Sequence, residues 1–541
     1  MRRVVALCMC IVLAPVAAWA QAEQHQHSGM APKDYGTVDF ETSCSPATKA
    51  KFNEAVALLH SFWFQESRDA FNEVLKADAN CAMSHWGIAL TYWGNPFAGQ
   101  RSPQAIANGK AATDKGLATG MPTPRERAYL EAVGILVSSN DVTTQRQRVL
   151  DYEKAMGRLS VANKNDVEAR IWWALAVAQA ASPTDKTYAR NLQSAEMLEP
   201  LAKKMPKHPG VAHYLIHAYD VPALAARALP SARSYAGIAP AVPHALHMPS
   251  HTFTRVGFWK DSVTSNEKSA EIAEKTNGLG EAMHARDYMT YAFLQMGMDS
   301  QAKTNQEHVM RLVASGTTGG NQSAAGAGPT NTFALAAIPA RYAMERQQWA
   351  EAAALEPRPA PNTPYTEAIT HFARAIGAAR AGRPADAAKD VEKLAALRDR
   401  EIEMKDEYWA GQVNIQRLGA DAWVMFAQGR KDAALKQMRE TADMEDLTDK
   451  AAVTPGPLAP ARELLGYMLL EGHQPKEALV EFEAVMKKEP NRFLAIWGAG
   501  KAAEAASQNG KAKTYFKQLV EMCKDAGTER PELQYARRHA G

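Results

Sequence analysis

Excess charge of either sign is missing from this chain. Its 62 basic and 59 acidic residues leave a balance of +3, which provides no electrostatic footprint for nucleic acid or an anionic membrane surface. Cysteine is scarce, at five in 541 residues. Cys8 and Cys10 sit within the first apolar run and not at its end, which counts against a lipid-anchored cysteine. Beyond residue 20 no stretch approaches 18 unbroken apolar residues, so a membrane-spanning segment of that kind is not expected. Strand-length alternation of apolar and polar residues is not convincing anywhere, which leaves an all-α reading. The familiar catalytic signatures are absent too: no HExxH, no GxSxG, no phosphate-binding glycine loop and no Cys–His nucleophile context.

What is present begins with residues 1–20, MRRVVALCMCIVLAPVAAWA. Two arginines, an apolar run and Ala18-Trp19-Ala20 as a small-x-small site read as a secretory signal peptide. Its removal takes Arg2 and Arg3 and leaves a near-neutral chain, exported to the periplasm or secreted. Residues 21–43 lack periodicity and read as a flexible leader. Within it His25, His27 and Met30 form HQHSGM, a run of copper-compatible ligand types. Cys44 precedes the first periodic helix and Cys81 follows the second. The ends of an antiparallel pair lie close together, so a Cys44–Cys81 disulfide is expected, worth about 4 kcal/mol in the chain-entropy model. Cys523 reads as a buried helix cysteine, and His85, Trp86, Tyr92 and Trp93 as packing residues.

Residues 208–260 hold six of the fifteen histidines. His213 and His217 are four apart, as are His247 and His251, and the two pairs are 34 residues apart. A spacing of four puts two side chains on one helix face. Near the C-terminus Leu465, Gly466, Ala478, Phe482 and Pro490 form a large, small, small, aromatic, proline pattern. Gly500, Ala512 and Phe516 repeat it 34 residues on. Further copies start at Gly382 (GRPADAAKDVEKL) and Gly429 (GRKDAALKQM), and the turns at Gly257 and Gly297 belong to the same series.

This pattern resembles the tetratricopeptide repeat over nearly all of the chain past its leader. The resemblance implies a right-handed solenoid of antiparallel helix pairs, a superhelix with one continuous core. It implies a binding scaffold more than an enzyme, with a protein or peptide partner in the concave groove. Residues 44–314 form one array and residues 365–541 a second. Between them, residues 315–364 form an interruption that includes a helix. It is rich in Gly, Ser and Thr at 315–332, read as a loop, and in Pro at 355–364.

In the repeat consensus, positions 2, 5 and 9 of the first helix face the groove. On that frame His244, His247 and His251 line it, preceded by His213 and His217 and followed by His284, Asp287 and Tyr291. Three readings stand open. The imidazoles of His213, His217, His244, His247 and His251 converge on a transition metal, zinc or copper, with Asp220, Asp287 or Glu281 as an added oxygen or outer partner. Alternatively the wall binds a peptide or small anion through Arg255, His284, Arg286, Asp287 and Tyr291. Or the histidines only pack helices, as His60, His308 and His371 are expected to do. A metal-dependent hydrolase or oxidase would add Glu281 or Asp287 as general base.

Overall fold

The computed structural model describes residues 35–120, 122–276, 278–314, 327–527 and 530–541. The expected signal peptide, the HQHSGM run and the first part of the Gly/Ser/Thr-rich stretch lie outside the described residues. Among those described, every regular element is helical, α1 to α26 in chain order with short 3₁₀ turns between some of them.

The repeating unit is a helix hairpin, and one aromatic side chain explains how successive hairpins stack. Phe482 lies on α23 (Pro475–Lys488) and is fully buried. Its ring lies against Gly466 of α22 (Ala461–Glu471), where a Cβ would come within 2.9 Å of it. It also fills the space beside Gly498 of α24 (Phe493–Ala505), the first helix of the next hairpin. Phe516 of α25 (Asn509–Met522) does the same against Gly500. At the other end, Phe71 of α2 (Phe64–Ala77) packs onto Gly87 of α3 (Ala82–Trp93). Small residues on the first helix thus admit an aromatic from the second, which closes the core between neighbours. The hairpin turns take a left-handed residue: Gly257 at φ 71° and Gly297 at φ 68°, but also Phe62 at φ 55° and His473 at φ 59°.

Cys44 and Cys81 are disulfide-bonded with Cα atoms 4.6 Å apart, and the bridge links the start of α1 (Lys49–His60) to the end of α2. Cys523 is buried just past α25. The expected loop at 315–332 gives way to a helix in its described part. A helix, α16 (Ala327–Glu345), already runs through 327–332, and it packs against both α14 (Leu279–Gln295) and α18 (Pro364–Arg380). The described residues form one compact unit. No helix among the described residues is long and apolar enough to cross a membrane.

Candidate metal centre

Three hairpin first-helices deliver the histidines. Helix α9 (Pro209–Ala218) starts at His208, whose side chain accepts a hydrogen bond from the Val211 amide, with Pro209 at the first helical position. It carries His213 and His217. The next first-helix is interrupted: Pro249 has no amide hydrogen to donate, so it divides α11 (Pro243–His247) from α12 (Pro249–Arg255). His244 and His247 therefore lie on one short segment and His251 on the next. Helix α14 contributes His284.

His213, His217 and His244 each bring one ring nitrogen within 4.8 Å of the others, and all three residues are buried. Their Nε2 atoms are buried without a hydrogen-bond partner. Three unpartnered ring nitrogens in one buried cluster is an unusual cost for a protein interior. The outer nitrogens of His213 and His244 are held. His213 Nδ1 donates to the His60 carbonyl at 2.7 Å, and His244 Nδ1 lies 3.2 Å from Glu281 Oε2. These acceptors keep the proton on Nδ1 and leave an Nε2 lone pair facing inward. Phe97 stacks on the His217 ring with centroids 4.0 Å apart, and Phe62 stands against His213 at 4.4 Å.

His247, His251 and His284 form a second group of the same kind. His247 Nδ1 lies 2.6 Å from Asn266 Oδ1 on α13 (Trp259–Lys275), and the Asn266 amide nitrogen donates to the Ser262 carbonyl. His251 Nδ1 lies 2.9 Å from Asp220 Oδ2, while Asp220 Oδ1 accepts from Arg255 Nε at 2.8 Å. The two groups abut, with the His244–His247 and the His217–His251 ring centroids both 6.1 Å apart. Tyr288 closes the far side, 4.8 Å from His247 and 5.1 Å from His251.

Burial, reinforced by the neighbouring imidazoles, holds His213, His217 and His247 well below the ordinary 6.5 and brings His284 down to about 3. These rings are thus neutral at physiological pH, the state in which imidazole ligates metal. Burial alone would raise the Asp220 carboxyl, but Lys450, Arg255 and the hydrogen bond from His251 keep it well below the usual range.

Two other clusters do not match this chemistry. His60 Nε2 and His208 Nε2 both bond Glu168, at 2.9 and 2.8 Å, and His60 Nδ1 meets the Tyr214 hydroxyl at 2.9 Å. Every nitrogen in that group has a partner, so it acts as a buttress beneath His213. Cys44, Asp78 and Cys81 also lie together, but the two sulfurs are bonded to each other.

The remaining expected site residues are distributed differently. The histidines do not line an open groove; their burial seals them within the array. His284 belongs with the second imidazole group. Arg255 is committed to Asp220, and Arg286 to Glu274 and Asn305. Asp287 pairs with Arg341 at 2.9 Å, and the Tyr291 hydroxyl accepts from Arg492, so neither turns toward the imidazoles. Glu281 holds His244 from outside and is not positioned as a free base. His308 bonds Glu274 and His371 bonds Asp390, in the packing role expected of them. Asn266, Phe62, Phe97 and Tyr288 were not marked by the sequence. For Asn266 a signal exists: it lies 19 residues after His247, as Asp390 lies 19 after His371 and Asn305 lies 19 after Arg286. That spacing pairs the two helices of one hairpin.

The hairpin geometry and the aromatic–glycine stacking decide the architecture. The fold is of the tetratricopeptide type. No family model matches the chain, and no curated protein sequence does either. Among solved structures it is similar to yeast Tom70, at 11% identity over 91% of this chain and 95% of that one, with a TM-score of 0.27. It is similar also to the APC/C hetero-tetramer Cut9–Hcn1, at 11% identity, 90% and 96% coverage and a TM-score of 0.25. The P58(IPK) TPR domain matches at 13% identity over 69% of this chain and 98% of that one, with a TM-score of 0.21. Scores of this size add nothing to the packing described above.

Proposed function

We propose that this tetratricopeptide-type protein binds a late transition metal inside its array, through His213, His217 and His244. The observation that carries this reading is that His213, His217 and His244, each with a buried and unpartnered Nε2, bring ring nitrogens within 4.8 Å of one another. Three imidazoles suit zinc or copper and leave a coordination position open. Outer acceptors that take the Nδ1–H, as the His60 carbonyl does for His213 and Glu281 for His244, are what such ligands require. Export to an oxidising compartment is part of the proposal, supported by the signal-like first twenty residues and the Cys44–Cys81 bridge.

Elemental analysis of untagged protein should find metal in the wild type and lose it in His213→Ala and His217→Ala. Equal, substoichiometric metal in all three would end the reading.

A second reading, an organic anion as ligand, is favoured by Lys450. Its buried ammonium has no hydrogen-bond partner and only a long ion pair, 3.9 Å to Asp220, and burial pushes it down to about 8. It lines a cavity of about 90 Å³ together with Arg255, Tyr365 and Trp409. Saturable binding of benzoate but not benzamide, lost in Lys450→Met, supports that reading; equal binding of both probes refutes it. A peptide partner, by contrast, would have to dock elsewhere than on the sealed histidines.

A further inference from the structure

The second imidazole group presents a problem of proton placement. His247 Nε2 and His251 Nε2 face each other at 3.0 Å. A hydrogen bond between them needs a proton on one of the two atoms. Each ring already carries its proton on Nδ1. The Asn266 amide nitrogen is spent on the Ser262 carbonyl, so it is the Asn266 oxygen that meets His247. A carboxylate oxygen of Asp220, anchored by Arg255, meets His251. The two Nε2 lone pairs therefore point at one another in a buried place; the nearest hydroxyl, Tyr288, is 3.5 Å from His251 Nε2 and closer to the Ala452 and Thr454 carbonyls, at 3.1 and 3.2 Å. A cation that accepts both removes the repulsion. Two nitrogens bound to one ion at about 2.0–2.1 Å are roughly 3 Å apart, the separation observed. His284, for which no hydrogen bond is seen among the described residues, brings a third ring nitrogen within 4.8 Å.

We propose that the six histidines hold two metal ions in one centre, the second bound by His247, His251 and His284. This rests on the metal reading for the first group. The groups abut through the His244–His247 and His217–His251 ring pairs, which sets the two candidate sites side by side. A small bridging ligand such as hydroxide joins them, as in two-metal sites with ions about 3.5–4 Å apart. Asp220 and Asn266 then serve as positioning residues that fix the donor nitrogen of His251 and His247.

The test uses the full, untagged chain in a His25→Gln/His27→Gln background, which removes the leader histidines as binders. The protein is stripped with chelator, loaded separately with Zn(II) and Cu(II), desalted and analysed. Two ions per chain are expected in the parent, and one in both His284→Ala and His284→Gln, with circular dichroism confirming that each variant folds. The two-copper form should give an electron paramagnetic resonance spin count well below its copper content, because bridged Cu(II) ions couple. One ion per chain, unchanged in His284→Ala, would overturn this inference and mark the His247–His251 pair as sharing a proton. Two ions with a full spin count would overturn the shared centre. No bound metal at all would instead sink the reading of the first group.

Discussion

Replacing Asn266 with alanine should weaken metal binding by about 10- to 100-fold, roughly 1.4–2.8 kcal/mol, the range for losing an outer hydrogen-bond partner of a ligating histidine. The size follows from what Asn266 does. It is fully buried, its Oδ1 lies 2.6 Å from His247 Nδ1, and its amide donates to Ser262 at 2.7 Å. Without the acceptor, the His247 proton has no reason to stay on Nδ1, and a proton on Nε2 blocks the donor atom. The same substitution leaves the buried ring N–H unpaired, a stability cost of about 1–3 kcal/mol. Those effects separate in the right assay. Zn(II) affinity is read by competition with a chelator of known strength, and apo-protein stability by thermal melting without metal. Asn266→Asp keeps an acceptor in place and should bind as tightly as wild type or more tightly. Alanine and aspartate variants with the same weakened affinity would refute the reasoning, as would an alanine variant that binds normally.

Three further outcomes are expected. Cys44→Ser/Cys81→Ser should lose about 4 kcal/mol of stability in the N-terminal hairpins, from a closed loop spanning 37 residues; urea midpoints equal to wild type would contradict this. Gly498→Ala places a methyl against the Phe482 ring and should cost about 1–3 kcal/mol by overpacking. In a Phe482→Ala background, however, it should stabilise by about 0.5–1 kcal/mol through helix propensity, so an unchanged sign would refute the packing. Burial pushes the Glu401 carboxyl up from 4.5 to about 7. A raised acid contributes its full stability below pH 4.5 and loses it as pH rises through about 7. Glu401→Gln, which still accepts from the Tyr365 amide, should therefore gain on wild type across that window in denaturant titrations, and a constant gap would contradict the assignment.

The local periodicities carried much of this molecule. The spacing of Gly466, Ala478 and Phe482 named the hairpin, and the structure places the aromatic between two glycines. The position of Cys44 before one helix and Cys81 after the next was enough for their bridge. The 34-residue recurrence of the histidine pairs brought them to one region, because stacked hairpins put equivalent positions side by side. The groove was the misreading. A consensus position records which face of a helix a residue occupies, but not whether a neighbouring segment covers that face. Here Phe62, from a hairpin turn far back in the chain, and Phe97 lie against the imidazoles and help close them off.

Repeat length, helix faces and hairpin turns are properties of contiguous residues, so the order of amino acids alone determined the all-α array and the clustering of imidazoles. Tertiary structure decided which ring nitrogen faces inward. That choice depends on acceptors delivered from elsewhere: the His60 carbonyl to His213, Glu281 to His244, Asn266 to His247 and Asp220 to His251. A proton settles on the nitrogen that has an acceptor, and only the folded packing puts an acceptor there.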